Sequence, residues 1–195
     1  MCSDLRRRER GISLIEVVVF IVVVAIGVAG IATLFNQLSR GSVDPVVRQQ
    51  ALASATALME EIQLRGFTYC DPDDNNVYTA TSAAGCTVPE AMGPETGETR
   101  YADPRFDNVN DYGNADGVSV GFAMSGANFK DITGTALTGL SAYTASVTIS
   151  QPTGSEILTS VPAAAQLKIV VTVSGPAGTT VSLQGYRLRY APNSP

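Results

Sequence analysis

Hydrophobic and polar positions divide the chain into three stretches with different periods. Residues 17–35 carry no charge, and 16 of these 19 positions are hydrophobic, with no polar face. A helix of that length rises about 29 Å, enough to cross a bilayer core. The run is dense in β-branched residues (Val17, Val18, Val19, Ile21, Val22, Val23, Val24), which in water lean towards strand. In hydrocarbon a lone strand leaves its amides unpaired, so a spanning segment is helical. The pattern predicts a single transmembrane helix over residues 12–35, a length without polar residues that is unusual for the buried core helix of a soluble protein.

A polar break follows at Asn36, Gln37, Ser39, Arg40, Gly41 and Ser42, and Asp44-Pro45 reads as a helix restart with proline in the first turn. Val47, Ala51, Ala55, Leu58 and Ile62 then recur at steps of four, four, three and four, with Gln49, Thr56, Glu60 and Gln63 on the opposite face. This predicts an amphipathic helical half over residues 36–66, stopping at Gly66. From residue 118 the period changes to two. Val118, Val120, Phe122 and Met124 alternate with small or polar residues, as do Tyr143, Ala145, Val147 and Ile149, and Leu167, Ile169, Val171 and Val173. Val181 and Leu183 begin a further run, whose phase shifts after Gly185 to Tyr186, Leu188 and Tyr190, as a bulge at that glycine would produce. Residues 174–180 read as a hairpin connection. The expected fold class is α+β: a long N-terminal helix, transmembrane then amphipathic, packed by its second half on a C-terminal antiparallel sheet spanning 118–195.

Charge orients this arrangement. Arg6, Arg7, Arg8 and Arg10 stand immediately before the apolar run, which keeps the N-terminus cytoplasmic and sends the rest of the chain across the membrane. The whole chain of 195 residues has a formal net charge of -5 and no histidine. An acidic balance disfavours nucleic acid as a partner. Without histidine there is no Ser-His-Asp or Cys-His dyad and no His-containing zinc site. No nucleophile–base pair or phosphate-binding loop is evident, so the expectation is that the chain is not an enzyme.

Gly11-Ile12-Ser13-Leu14-Ile15-Glu16 closes the charged leader with a glycine, then an apolar residue, then a glutamate five residues into the remaining chain. The stretch resembles the class III leader of type IV pilins and pilin-like proteins, G-[I/F]-[ST]-L-[IV]-E. The resemblance implies a type IV pilin fold, cleavage between Gly11 and Ile12 by a prepilin peptidase, N-methylation of Ile12, and retention of the apolar helix. It also implies that Glu16 meets the positively charged N-terminus of a neighbouring subunit during assembly; the plain reading of Glu16 is a carboxylate snorkelling to the head groups. An ordinary secretory signal would instead be cut after the apolar run, at Gly30 and Ala32, leaving Thr33 as the terminus. Removing residues 1–11 takes away four arginines, Asp4 and Glu9, so the remaining 184 residues carry -7. The localisation implied is the inner membrane, single-pass with a periplasmic head, then the pilus surface.

Residues 67–117 form an acidic loop region. Cys70 and Cys86 are the two cysteines beyond the leader and read as one disulfide in an oxidising compartment. Ten acidic residues fall between Asp71 and Asp116 against Arg100 and Arg105. Asp103, Asp107, Asp111 and Asp116 are candidate oxygen ligands for Ca²⁺, although Val109 and Tyr112 break the EF-hand spacing and Asx turns explain the composition without metal. Arg105-Phe-Asp-Asn-Val-Asn-Asp-Tyr112 also resembles the D-type minor pilins (MshD type) of the mannose-sensitive haemagglutinin (MSHA) pilus system. Ser42-Val43-Asp44-Pro45, Leu58-Met59-Glu60-Glu61-Ile62, residues 168–173 and Tyr186-Arg187-x-x-Tyr190 agree with it. Pilins commonly carry a proline in the apolar helix; none stands between Ile12 and Asp44, where Gly27 and Gly30 offer local give. The resemblance implies a minor pilin whose partners are the inner membrane, other pilins and the prepilin peptidase. A minor pseudopilin of a type II secretion machine shares the same signals. A third reading is a surface-binding module, in which Tyr78, Tyr101 and Tyr112 stack on a surface ligand such as a sugar.

Overall fold

The structure, a computed structural model, describes residues 11, 13–41, 45–122 and 130–195. It divides into two units, Met1–Val43 and Asp44–Pro195, each described by itself.

Among the described residues of the first unit stands one helix, α1 (Leu14–Gly41). Its Leu14–Phe35 portion is long and apolar enough to cross a membrane. The amides of Glu16 and Val17 both donate to the Ser13 carbonyl, closing the first turn. Side chains from Ser13 to Phe35 are exposed: Leu14 at 82%, Phe20 at 67% and Ile26 at 68%. A helix apolar on all sides and exposed on all sides matches a lipid environment.

The second unit is α+β. Helix α2 (Pro45–Gln63) starts at the proline expected to open it, where a missing N–H costs no hydrogen bond. It buries Ala51, Ser54, Ala55, Leu58, Met59 and Ile62; four of these belong to the apolar stripe read from the sequence, and its fifth member, Val47, is partly buried against the same core. Strands β1 (Ser119–Phe122), β2 (Thr144–Ser150), β3 (Gln166–Ser174) and β4 (Thr180–Leu188) form one sheet in the order β1-β2-β3-β4. Every neighbouring pair is antiparallel. Ala145, Val147 and Ile149 of β2 and Leu167, Ile169, Val171 and Val173 of β3 point to one face and are buried. Helix α2 covers that face over β3 and β4, so alternation and helical stripe meet in a single core.

Two expectations change. No bulge occurs at Gly185: the β3–β4 register runs unbroken through Ile169↔Gly185, Lys168↔Tyr186 and Leu167↔Arg187. Gly185 holds the inward phase as a residue without a side chain. A Cβ there would lie 2.6 Å from Gln63 Nε2 and 3.2 Å from Met59 Sδ, so the glycine marks where α2 approaches the sheet. Tyr186 and Leu188 belong to the opposite face. Helix α2 ends at Gln63, before Gly66, which instead forms a parallel bridge with Asn108. Strand β1 is described through Phe122; Met124, assigned to it from the pattern, lies outside the described residues.

Between α2 and β1 the chain is mostly irregular and stitched by isolated bridges. The Cys70–Cys86 disulfide (S–S 2.04 Å) sits with Val77 and Ala80 in a small second core. A loop of this size gains about 3 kcal/mol in the chain-entropy account.

Candidate functional site

Two groups of residues carry candidate chemistry. The first lies at the N-terminus. Gly11 is exposed and precedes α1, and Glu16 is exposed in the first turn of α1. A carboxylate there is favoured by the partial positive charge of the helix end. Ile12, the expected new terminus, lies outside the described residues.

The second group is built by the loop region, and backbone pairing explains why. The Asp71 amide donates to the Val88 carbonyl and the Glu90 amide to the Tyr69 carbonyl, beside the Cys70↔Pro89 bridge. This two-sided ladder, closed by the disulfide, sets Asp71 and Glu90 in adjoining segments. Gly93 donates to the Asn110 carbonyl, joining the 90–98 segment to the Asn110–Tyr112 turn. Gly93 has φ +102°, and a Cβ there would come within 3.1 Å of the Asn114 carbonyl, so glycine suits both the turn and the approach.

These pairings gather carboxylates from distant positions. One oxygen each from Glu90, Glu95 and Asp111 lies within 4.8 Å of the others. The same holds for Asp71 with Glu95 and Glu98, and for Asp71 with Asp73 and Asp107. Asp111 is 1% exposed. Its Oδ2 accepts the amides of Asp107 (2.9 Å) and Asn108 (2.7 Å). Its Oδ1, both oxygens of Glu90 and Oδ1 of Asp107 are buried without a hydrogen-bond donor.

Electrostatics follow from this crowding. Burial first, then the charges of Asp111, Glu95, Asp107 and Asp71, push the Glu90 carboxyl up to about 10. Burial and the charges of Asp111, Asp107 and Glu95 push Glu98 to about 8. Asp107 rises to about 7 through burial and the charges of Asp71, Asp73 and Glu95. Asp111 also rises to about 7, burial outweighing its two backbone donors.

Beside this cluster stands an ion pair. Arg100 Nε donates to Glu61 Oε1 (2.7 Å) and Nη2 to Glu61 Oε2 (2.6 Å), and Tyr112 Oη donates to Glu61 Oε1 (2.8 Å). Burial alone would raise the Glu61 carboxyl, but the Arg100 hydrogen bonds and charge, with Tyr112, hold it below its ordinary value. The node ties the acidic loop to α2.

Of the expected cation ligands, the structure brings Asp107 and Asp111 to the cluster and leaves Asp103 and Asp116 apart. Asp103 is exposed, and Asp116 is exposed with Oδ1 accepting the Gln151 amide. Reading ligands along one contiguous stretch missed Asp71, Asp73, Glu90, Glu95 and Glu98. The one signal for them was the cysteine pair, which brackets Asp71 and folds the 86–90 segment back onto it. Of the tyrosines expected to be exposed, Tyr78 is 70% exposed. Tyr101 is half-buried under Arg100 and Lys130, and Tyr112 is fully buried, edge-on to Phe106 at 5.2 Å. Tyr112 is therefore a packing residue bonded to Glu61, and the idea of three exposed rings does not hold.

Residues 6–32 match the family model of the prokaryotic N-terminal methylation motif. No curated protein and no solved structure matches the chain. The matched segment contains Gly11, Ile12 and Glu16 and most of the apolar helix. It supports a type IV pilin- or pseudopilin-like subunit, with prepilin processing and membrane anchoring, and points to a structural rather than a catalytic protein.

Proposed function

We propose that this protein is a minor pilin, an assembly subunit of a type IV pilus of the MSHA kind. It is cleaved between Gly11 and Ile12, N-methylated at Ile12, stored in the inner membrane by residues 12–35, and drawn into the filament with its acidic head outside the cytoplasm. The observation that carries this reading is the methylation motif over residues 6–32 running directly into an apolar helix exposed on every side. A secretory signal would discard that helix; a filament subunit uses it as the packing core between copies. In such a core Glu16 is the one carboxylate of the segment, and the N-terminal ammonium of an adjacent chain is its natural counter-charge. The head agrees in architecture, a helix laid on an antiparallel sheet, and the Arg105–Tyr112 stretch is what favours the MSHA subfamily over a secretion pseudopilus.

The test is genetic and biochemical. Deleting the gene should reduce surface filaments, and sheared filaments from the parent strain should contain this chain at low stoichiometry beside an MSHA major pilin. Intact filaments together with impaired export of secreted enzymes would assign it to a pseudopilus instead. Loss of adherence with filaments preserved would favour the surface-binding role.

A further inference from the structure

The acidic cluster has a geometry that packing alone does not call for. Burying a carboxylate without a donor is costly, and folded chains offset it with a proton, a cationic partner or a metal. Here the Asp111 side chain is 1% exposed and held in place by two amides on Oδ2, while its Oδ1 has no donor and is buried. Both oxygens of Glu90 are likewise buried and unpaired. No cationic side chain answers them: among the described residues the ion pairs are Arg100–Glu61 and Lys168–Glu156. Arg189 lies over the Phe67 ring at 4.0 Å and the Tyr69 ring at 5.0 Å, and reaches Glu90 only through longer-range charge. Arg65 acts on Asp107 in the same remote way.

We propose that Glu90, Glu95 and Asp111 form a Ca²⁺ site. Oxygens that share a calcium ion at about 2.3–2.6 Å stand no more than about 5 Å apart, and one oxygen from each of the three falls within 4.8 Å of the others. The donor set is all oxygen: the chain has no histidine, and Cys70 and Cys86 are joined to each other, so soft and borderline metals lose their preferred ligands. Calcium suits it better than magnesium. Three carboxylates from separate loop segments give a crowded, irregular shell, whereas Mg²⁺ keeps its waters and a strict octahedron. Asp71, Asp107 and Glu98 extend the same acidic line and attract the ion without being needed as its first ligands. A bound ion fastens the 90–98 segment to the Asn110–Tyr112 turn, and so, through Tyr112 and Glu61, to α2. This site stands apart from the assembly reading and neither requires nor supports it.

The full chain in detergent, stripped with EDTA and returned to ~150 mM KCl to screen loose counter-ions, is titrated with CaCl₂ and MgCl₂ by calorimetry, and its thermal unfolding is followed by tyrosine near-ultraviolet dichroism. Expected are saturable Ca²⁺ binding at least about ten-fold tighter than Mg²⁺ and a midpoint that rises with Ca²⁺ concentration. Glu90→Gln and Glu95→Gln, each checked for a native spectrum in EDTA, should lose about ten-fold or more in Ca²⁺ affinity, while Asp116→Asn retains it. No heat and no midpoint shift in the parent chain at about 10 mM CaCl₂, far above the range of extracellular calcium modules, would overturn the site. Equal response to Mg²⁺ would overturn the choice of ion, and parent-like affinity in both glutamine variants would overturn the ligands.

Discussion

Arg100→Ala is the sharpest probe of how the acidic loop is held to the head. The guanidinium makes a two-pronged contact with Glu61 at 2.7 and 2.6 Å, and its Nη1 donates to the Lys130 carbonyl at 3.2 Å. Side-chain exposure is 6% for Arg100 and 15% for Glu61. Truncating one partner of a buried pair costs roughly 3–5 kcal/mol, since the other charge stays buried. The residual exposure of Glu61 lets water reach it, and Tyr112 Oη still donates to it, so the lower end applies, about 3 kcal/mol. At roughly 2–4 °C per kcal/mol for a unit of this size, the midpoint falls by about 6–12 °C. All seven tyrosines lie beyond residue 44, so near-ultraviolet dichroism of the detergent-solubilised chain reports on the head alone. A double-mutant cycle with Glu61→Gln should return a coupling of about 2 kcal/mol. A midpoint drop under about 2 °C, or a coupling under about 0.5 kcal/mol, refutes the claim that this pair fastens the loop to α2.

The pH dependence of the same pair has a definite sign. Glu61 is held below its ordinary value of 4.5, so its stabilising effect is present above that value and is lost as pH falls through the folded-state value. The stability gap between the parent chain and Glu61→Gln should therefore close as the pH is lowered below 4.5; a constant gap in acid would contradict the assignment. At Gly185, where an added Cβ meets Gln63 and Met59, alanine should cost under about 1 kcal/mol because both neighbours end in flexible atoms. Valine should cost about 1–3 kcal/mol by overpacking the α2–sheet contact, measured by urea unfolding. Glu16→Ala should leave leader removal unchanged and reduce filament content about ten-fold, the loss of roughly 1.4 kcal/mol of docking free energy, read by immunoblotting of sheared filaments; parent-like content would reject the assembly role of Glu16.

Much of the fold was legible because local periodicity and tertiary burial agree. Ala51, Ala55, Leu58 and Ile62 recur at helical spacing and Val147, Ile149, Ile169 and Val171 at strand spacing, and each set is buried where its period places it. Gly185 misled because a missing side chain interrupts an apolar alternation in the same way as an extra residue, and only the partner strand distinguishes them. The N-terminal motif was legible for a different reason: a peptidase reads contiguous residues, so the signal is contiguous too. The acidic cluster was only half legible. Asp107 and Asp111 are four apart on one turn, but Glu90 and Glu95 reach Asp111 through the pairing of segments 69–71 with 88–90 and of Gly93 with Asn110. Contacts of that kind, made by irregular backbone across a disulfide, leave no period to read. Tyr112 shows the same limit, since the carboxylate its hydroxyl bonds, Glu61, lies 51 positions away.

A subunit of the proposed kind keeps its apolar helix and loses its leader. Intact-mass and N-terminal sequencing of the chain purified from membranes tests it most directly. The expected product begins at Ile12 and has 184 of the 195 residues, heavier by one methyl group on its terminal nitrogen. A chain beginning at Thr33, or an uncut one still beginning at Met1 in cells with an active prepilin peptidase, would contradict it.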